Sequence, residues 1–270
     1  MPITTLDGAI AGQQAPRYIA KAATPTLVAG RTQSLWGLGG SPGAGAFDAT
    51  LNGVVLSSTA SMVAGQLPHV DPVSGNAHLM RVVMTASQAG TILLCDRLWH
   101  NGGYNITLTT AQNSTTPAWP ARDVAASANG DAVLLGLEVS VATGAGVPTI
   151  TVSYTNQAGV AGRTGTNSLA VTASATAGAF YTISLQAGDT GVRSVQSLTL
   201  SATWTSGTIN LVAYRVLAAL PAPISNVSTA IDALTGGFPR VHNGAAPFVI
   251  LVPNGAAPTI VNGTYQETHG

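Results

Sequence analysis

Charge is the scarcest property of this chain. Only 7% of its 270 residues are Asp, Glu, Lys or Arg, against roughly 25% in an ordinary domain. Ten basic and ten acidic residues cancel, so no cationic face argues for nucleic acid. Lys21 is the only lysine. Cys95 is the only cysteine, which excludes an intrachain disulfide. Its setting, Leu94-Cys95-Asp96 at an expected strand end, reads as a small buried apolar residue rather than a reactive thiol. Aromatic residues make up 5%, too few for the interfacial girdles of an outer-membrane barrel. No apolar run reaches the length of about 18 residues that a spanning helix needs. The first residues, MPITTLDGAIAG, lack the basic start and apolar core of a signal peptide. A P-loop, a dinucleotide fingerprint, GxSxG and HExxH are all missing. The reading therefore includes no membrane, no nucleic acid and no cofactor.

What is there is apolar and small. The hydrophobic fraction is 46% and mean hydropathy is +0.32. The surface must be built from Ser, Thr, Asn, Gln, Gly and backbone. Little charge opposes association, so much of that surface is expected to be buried in an assembly.

The chain is organised around residues 91–110, TILLCDRLWHNGGYNITLTT. An apolar run ends in Asp96 and Arg97, a wide turn follows at Asn101-Gly102-Gly103, and an alternating segment resumes at Tyr104. This predicts strand, corner, strand. Further strands are expected at 51–57, 78–86, 131–143, 147–154, 167–172, 179–185, 195–204 and 208–217. In 131–143, Val133, Leu135, Leu137, Val139 and Val141 share one face at period two, with Glu138 and Ser140 opposite. Residues 209–216 are apolar on both faces, which predicts a central, covered strand. Many short strands between Gly and Pro turns predict an all-β fold. It is an antiparallel β-sandwich of jelly-roll or immunoglobulin-like type.

The ends look different. Residues 1–34 read as an N-terminal arm, with Leu6 and Ile10 on one face of a short helix after Thr4 or Thr5. Residues 35–220 form the expected sandwich domain. Residues 221–270 read as an extended C-terminal arm: a short helix at 225–234, one strand-like piece at 248–252, and two copies of NGAAP, at 243–247 and 254–258, as equivalent bends. Such arms would gain order on a partner.

The few polar clusters offer little chemistry. Eight of the ten carboxylates are Asp, and none stand at a spacing that proposes an acid/base pair. Asp96 and His100, with Arg97 between them, form a conceivable catalytic pair. The preferred reading ties Asp96 and Arg97 to backbone at the turn. His69, Asp71 and His78 lie close enough in sequence for a metal, but the spacing matches no zinc pattern. Trp119, between Pro117 and Pro120, suits either a sugar-stacking surface or a cap on the end of the sandwich, and the cap is preferred. Sequons at Asn105, Asn113, Asn226 and Asn262 carry no weight without a secretory route. No catalytic, cofactor-binding or metal site is assigned.

Several runs resemble one family. They are Ser34-Leu35-Trp36; LCDRLWHNGG at 94–103; TLTTAQ at 107–112; the run SYTNQAG-x-x-GRT at 153–164; and AGDTGV at 187–192. Together, over about residues 30–217, they resemble virion structural proteins of tailed bacteriophages. The resemblance implies a non-enzymatic role, many copies and assembly into a virion in the bacterial cytoplasm. The resemblance does not say where on the particle; the first hypothesis is the head shell, as a decoration (cement) protein bound to the major capsid protein or neighbouring virion proteins, self-associated as a homotrimer. The alternative is a neck, tail or fibre component with a carbohydrate-binding face for host adsorption. A third reading, a polysaccharide depolymerase, lacks the acidic pair it would need.

Overall fold

A computed structural model describes every residue except Met1, Pro2, Thr4, Thr59, Ala60, Ser61 and Phe238. Helix α1 (Leu6–Ala11) comes first. The strands β1 (Arg17–Lys21), β2 (Gln33–Ser34), β3 (Gly40–Ser41), β4 (Val54–Val55), β5 (Ala77–Ala86), β6 (Gly90–Asn101), β7 (Gln112–Asn113) and β8 (Leu134–Val141) follow. Next are β9 (Ile150–Asn156), β10 (Arg163–Asn167), β11 (Phe180–Ser184), β12 (Val192–Leu200) and β13 (Thr208–Ala222). The chain closes with β14 (Thr229–Asp232), α2 (Ala233–Gly236), β15 (Arg240–Val241), β16 (Pro247–Pro253) and β17 (Val261–His269).

The strands make two antiparallel sheets. The smaller runs β14-β5-β17-β1-β3, with β15 also on β5. The larger runs β2-β16-β6-β13-β8-β11-β10-β9-β12-β7, with β4 also on β6. The larger sheet curls so that β9 and β12 face β8 and the first half of β13. Between them lie Leu135, Leu137, Val139, Ile150, Val152, Leu198, Leu200, Ile209 and Leu211. The smaller sheet instead covers the other halves of β6 and β13, packing Ile19, Leu79, Val82 and Tyr265 against Ile92, Leu94, Leu217 and Leu220. The far face of β6, β13 and β16 is also covered, by Trp36 and Leu56 over Cys95, Val212, Tyr214, Phe248 and Ile250. The all-β sandwich expected from the alternation is thus what forms, and β13 is the covered central strand.

Two strands hold both cores together. β13 has 15 residues and β6 has 12, two to three times the usual roughly 5–6. Their register slips twice, between Ala213 and Tyr214 and between Val216 and Ala218. Each slip is a bulge, and a bulge breaks the alternation of faces. This lets neighbours Leu98 and Trp99 enter the same core. The strand expected before the corner runs on to Asn101, with Asp96 and Arg97 at its middle, and it ends at the expected Asn101-Gly102-Gly103 turn. The strand expected to resume at Tyr104 is loop as far as β7. There the Gln112 amide accepts from the Asn105 N–H at 2.7 Å and donates to the Asn105 carbonyl at 2.9 Å, replacing a strand partner.

The ends differ most from expectation. β16 pairs along β6, and β17 lies between β5 and β1. Residues 221–270 therefore complete both sheets rather than extending as an arm, and most of β16 is buried. The N-terminal segment adds β1 to the same sheet. The accessible surface of 10570 Å² matches the roughly 10,800 Å² expected of a compact chain of this mass, so no area is left for extended arms. The Gly and Pro breaks delimit short strands: Pro247 and Pro253 stand at the two ends of β16, where a missing N–H is tolerated. In place of the expected helix at 225–234, a turn leads into strand β14 at 229–232. Asp232, placed near that helix's end, instead caps the one-turn α2, accepting from the Leu234 and Thr235 N–H groups. α1 does start at a Thr5 cap, but Leu6 and Ile10 are exposed and Ala9 is the buried residue.

Removing β17 should abolish the smaller sheet. A chain ending at Thr259 is expected to lose cooperative thermal unfolding and near-ultraviolet circular dichroism. A truncated protein that melts like the parent would show this segment to be dispensable.

Candidate functional site

Eight of the twenty charged side chains are buried: Lys21, Asp96, Arg97, Arg122, Asp123, Glu138, Arg215 and Glu267. A buried charge survives only if it is paired and hydrogen-bonded. Arg97 projects from mid-β6 into the aromatic core. Its Nη1 donates to Glu138 Oε2 of β8 at 2.6 Å, and its guanidinium lies 4.6 Å from the Trp36 ring centroid and 5.5 Å from that of Phe248. Burial pushes its pKa down, and Glu138 opposes that shift. Asp96 is engaged elsewhere. Its Oδ1 accepts from the Ala246 N–H at 2.9 Å, and its Oδ2 lies 3.3 Å from Arg122 Nε.

This arrangement removes the Asp96–His100 pair as a catalytic candidate. His100 Nδ1 lies 3.0 Å from Arg97 Nη2. Burial, then the Arg97 charge, push His100 down to about 3. The ring is neutral and accepts a hydrogen bond from Arg97. Asp96 and Arg97 do not tie down a turn; they brace the centre of a strand.

The first NGAAP copy is the strap over this seam. The Gly244 carbonyl accepts from Arg122, the Gly244 N–H donates to Asp71 at 2.8 Å, and the Ala246 carbonyl accepts from the Arg97 N–H at 3.0 Å. His242 Nε2 lies 2.9 Å from the Asp123 carbonyl oxygen. The second copy, at 254–258, lies in the turn between β16 and β17, where the Ala257 carbonyl accepts from Gln88. The two repeats share a sequence and not an environment.

His69 and Asp71 do meet, with His69 Nε2 3.1 Å from Asp71 Oδ1. The third member is Glu267 of β17, 2.8 Å from His69 Nδ1, and not His78. No group of three or more His, Cys, Asp or Glu among the described residues is arranged to hold a metal. A carboxylate oxygen lies against each ring nitrogen of His69, an arrangement that favours the imidazolium. Burial opposes that charge, but the Glu267 hydrogen bond and the charges of Glu267, Asp71 and Asp96 outweigh it and raise the His69 pKa.

The run SYTNQAG-x-x-GRT forms the β9–β10 hairpin, and AGDTGV supplies its lock. Asp189 accepts from Tyr154 Oη at 2.6 Å, Asn156 Nδ2 at 2.7 Å and Arg163 Nε at 2.9 Å. The Arg163 bond, against burial and ahead of those from Tyr154 and Asn156, holds the Asp189 carboxyl down at about 2. Burial, then the bond to Asp189, push Tyr154 up to about 12. Two runs quoted separately from the sequence are thus one cluster.

The remaining candidates are structural. Burial pushes the Cys95 thiol up, so it stays protonated. Trp119 is buried against Trp99, with centroids 6.0 Å apart, and caps the core. Lys21 Nζ donates to the carbonyls of Leu38, Pro42 and Gly43 at 2.9, 3.0 and 3.3 Å, and burial lowers it to about 8. No helix is long and apolar enough to cross a membrane among the described residues. Sequence reasoning missed Glu138, Arg122 and Glu267 as partners. The one visible signal was an acid at Glu138 inside an otherwise apolar strand. Set against protein-family models, curated proteins and solved structures, the chain matches none.

Glu138→Gln leaves Arg97 buried without its counter-charge and should cost about 3–5 kcal/mol in urea unfolding. The double variant Arg97→Met with Glu138→Leu should recover most of that loss. A Glu138→Gln protein within about 1 kcal/mol of the parent would mean that the pair is not a structural requirement. The raised His69 pKa gives a second expectation. Its contribution is complete below the unfolded value of about 6.5 and is lost as pH rises through the higher folded value. The melting temperature should therefore fall on the alkaline side, and His69→Gln should flatten that part of the profile. An unchanged profile in the variant would assign the slope to another group.

Proposed function

We propose that this protein is a non-enzymatic structural component of a tailed-bacteriophage particle. Its place is the head shell, as a decoration (cement) protein that binds the major capsid protein as a homotrimer and stabilises the shell. The observation that carries the reading is how the charges are distributed. Eight charged side chains are spent inside on fixed partners, leaving twelve on 10570 Å² of surface. A surface so poor in charge resists association weakly and suits many neighbours. Of the five sequence runs that resemble virion proteins, four lie on the seam or at the hairpin, and TLTTAQ lies in the loop leading into β7.

The contacts differ from those expected of arms. The termini lie within the sheets, so the shell-binding surface is made of sheet faces and loops. The outer face of the smaller sheet suits this role. Across β1, β17, β5 and β14 the register places Tyr18, Thr264, Val83 and Ala230 side by side, and Tyr18 is 61% exposed. Symmetric repetition over a lattice multiplies weak contacts of this kind.

The test is the copy number of this chain per purified particle of the phage that encodes it, by quantitative mass spectrometry against the major shell protein. Hundreds of copies in simple ratio to the shell are expected. A few to several dozen would move the protein to the neck, tail or fibres, and absence from particles would overturn the virion reading.

A further inference from the structure

Beside the β9–β10 hairpin turn lies an open cleft of about 330 Å³, bounded by Thr155, Gly159, Arg193, Ser194, Thr116 and Trp119. That volume is at the small end of ligand-sized pockets, roughly 300–1,000 Å³. Two features of β12 build its wall. The pairing with β9 slips between Val192 and Ser194 and again between Val195 and Ser197, so Arg193 and Gln196 are extra, bulged residues. Bulges re-aim side chains out of the regular alternation.

The chemistry of the cleft is one-sided. The Arg193 side chain is exposed and makes no hydrogen bond or ion pair with another described residue, unlike that of Arg163 on the neighbouring hairpin, which Asp189 neutralises. No carboxylate lines the cleft. The Gln196 amide donates to Thr155 Oγ1 at 2.8 Å and to Ser194 Oγ at 3.2 Å. Each hydroxyl thereby accepts from Gln196 and keeps its own proton to donate elsewhere. At the hairpin tip Gly159 has φ +82°, and a Cβ there would lie 3.4 Å from Arg193 Nη1. The bare backbone at this position keeps the guanidinium uncovered.

We propose that this cleft is a binding site for a small ligand bearing an oxyanion, a carboxylate or a phosphate ester. Arg193 supplies the charge-assisted hydrogen bonds, and the Thr155 and Ser194 hydroxyls supply further donors. This site is independent of where on a particle the chain resides.

The experiment is a titration of the full-length protein, nitrogen-15 labelled, followed by NMR at low ionic strength. The probes are inorganic phosphate, acetate and glucuronate, with glucose as the uncharged control. Saturable shifts are expected at the Thr155 and Ser194 amides and the Trp119 indole with at least one oxyanion and not with glucose. Arg193→Gln, a change at an exposed side chain, should weaken that binding by about tenfold or more. Tighter binding of glucuronate than of acetate would assign a sugar acid, and tighter binding of phosphate than of either carboxylate would assign a phosphate ester. The proposal is overturned if no oxyanion gives a saturable shift, if glucose shifts the same signals equally, or if Arg193→Gln binds as the parent does.

Discussion

The ion pair between Arg97 and Glu138 is buried beside the aromatic core that Trp36 and Phe248 form over β6, β13 and β16. A guanidinium between the rings of Trp36 and Phe248 is out of water, and such a group is tolerated only with a counter-charge in good geometry. That requirement aligns β8 with β6 across the intervening β13. It also demands that the β6 backbone beside it be capped, which the strap at 244–246 does through Asp96, Arg122 and the Arg97 N–H. The two bulges between β6 and β13 bracket this seam. They allow one pair of strands to serve the curled part of the larger sheet at one end and the smaller sheet at the other.

Seen from the seam, the unusual composition has a physical role. A chain with few charges places a large share of them where they specify register instead of where they solvate. An aliphatic replacement of a buried pair often costs nothing in stability, so the gain is in specificity: these pairings join segments far apart in sequence, such as Arg97 to Glu138, His69 to Glu267 and Arg122 to the strap. The outside is left to hydroxyls, amides and backbone. That division is in keeping with the virion role proposed above, in which the surface is covered by neighbours. His100, Cys95 and Lys21 are each fixed in one protonation state or one set of bonds.

The hairpin β9–β10 follows the same logic on a smaller scale. Asp189 gathers Tyr154, Asn156 and Arg163 and holds the turn rigidly against β12. Because Arg163 is neutralised there, Arg193 alone brings an unpaired cation to the adjacent cleft. Rigidity on one side and an uncommitted charge on the other are the conditions for a preorganised contact.

What the sequence by itself determined was local. Period-two alternation at Leu135, Leu137 and Val139 placed β8 and its buried face, and the two-sided apolar run at 209–216 placed β13 in the middle of a sheet, because a strand's faces follow directly from its residue order. Thr5 announced the start of α1 by the chemistry of its side chain. The partners of charged residues were not legible. Nothing near Glu138 in the chain indicates Arg97, and nothing near His69 indicates Glu267, since pairing over such distances depends on which strands the sheets bring together. The same reason explains the terminal segments. Their Gly and Pro breaks are compatible with an extended arm and with short strands alike. Only the tertiary structure decided between them, by offering β16 the open side of β6, and β17 the gap between β5 and β1, where backbone hydrogen bonds and apolar burial are gained together.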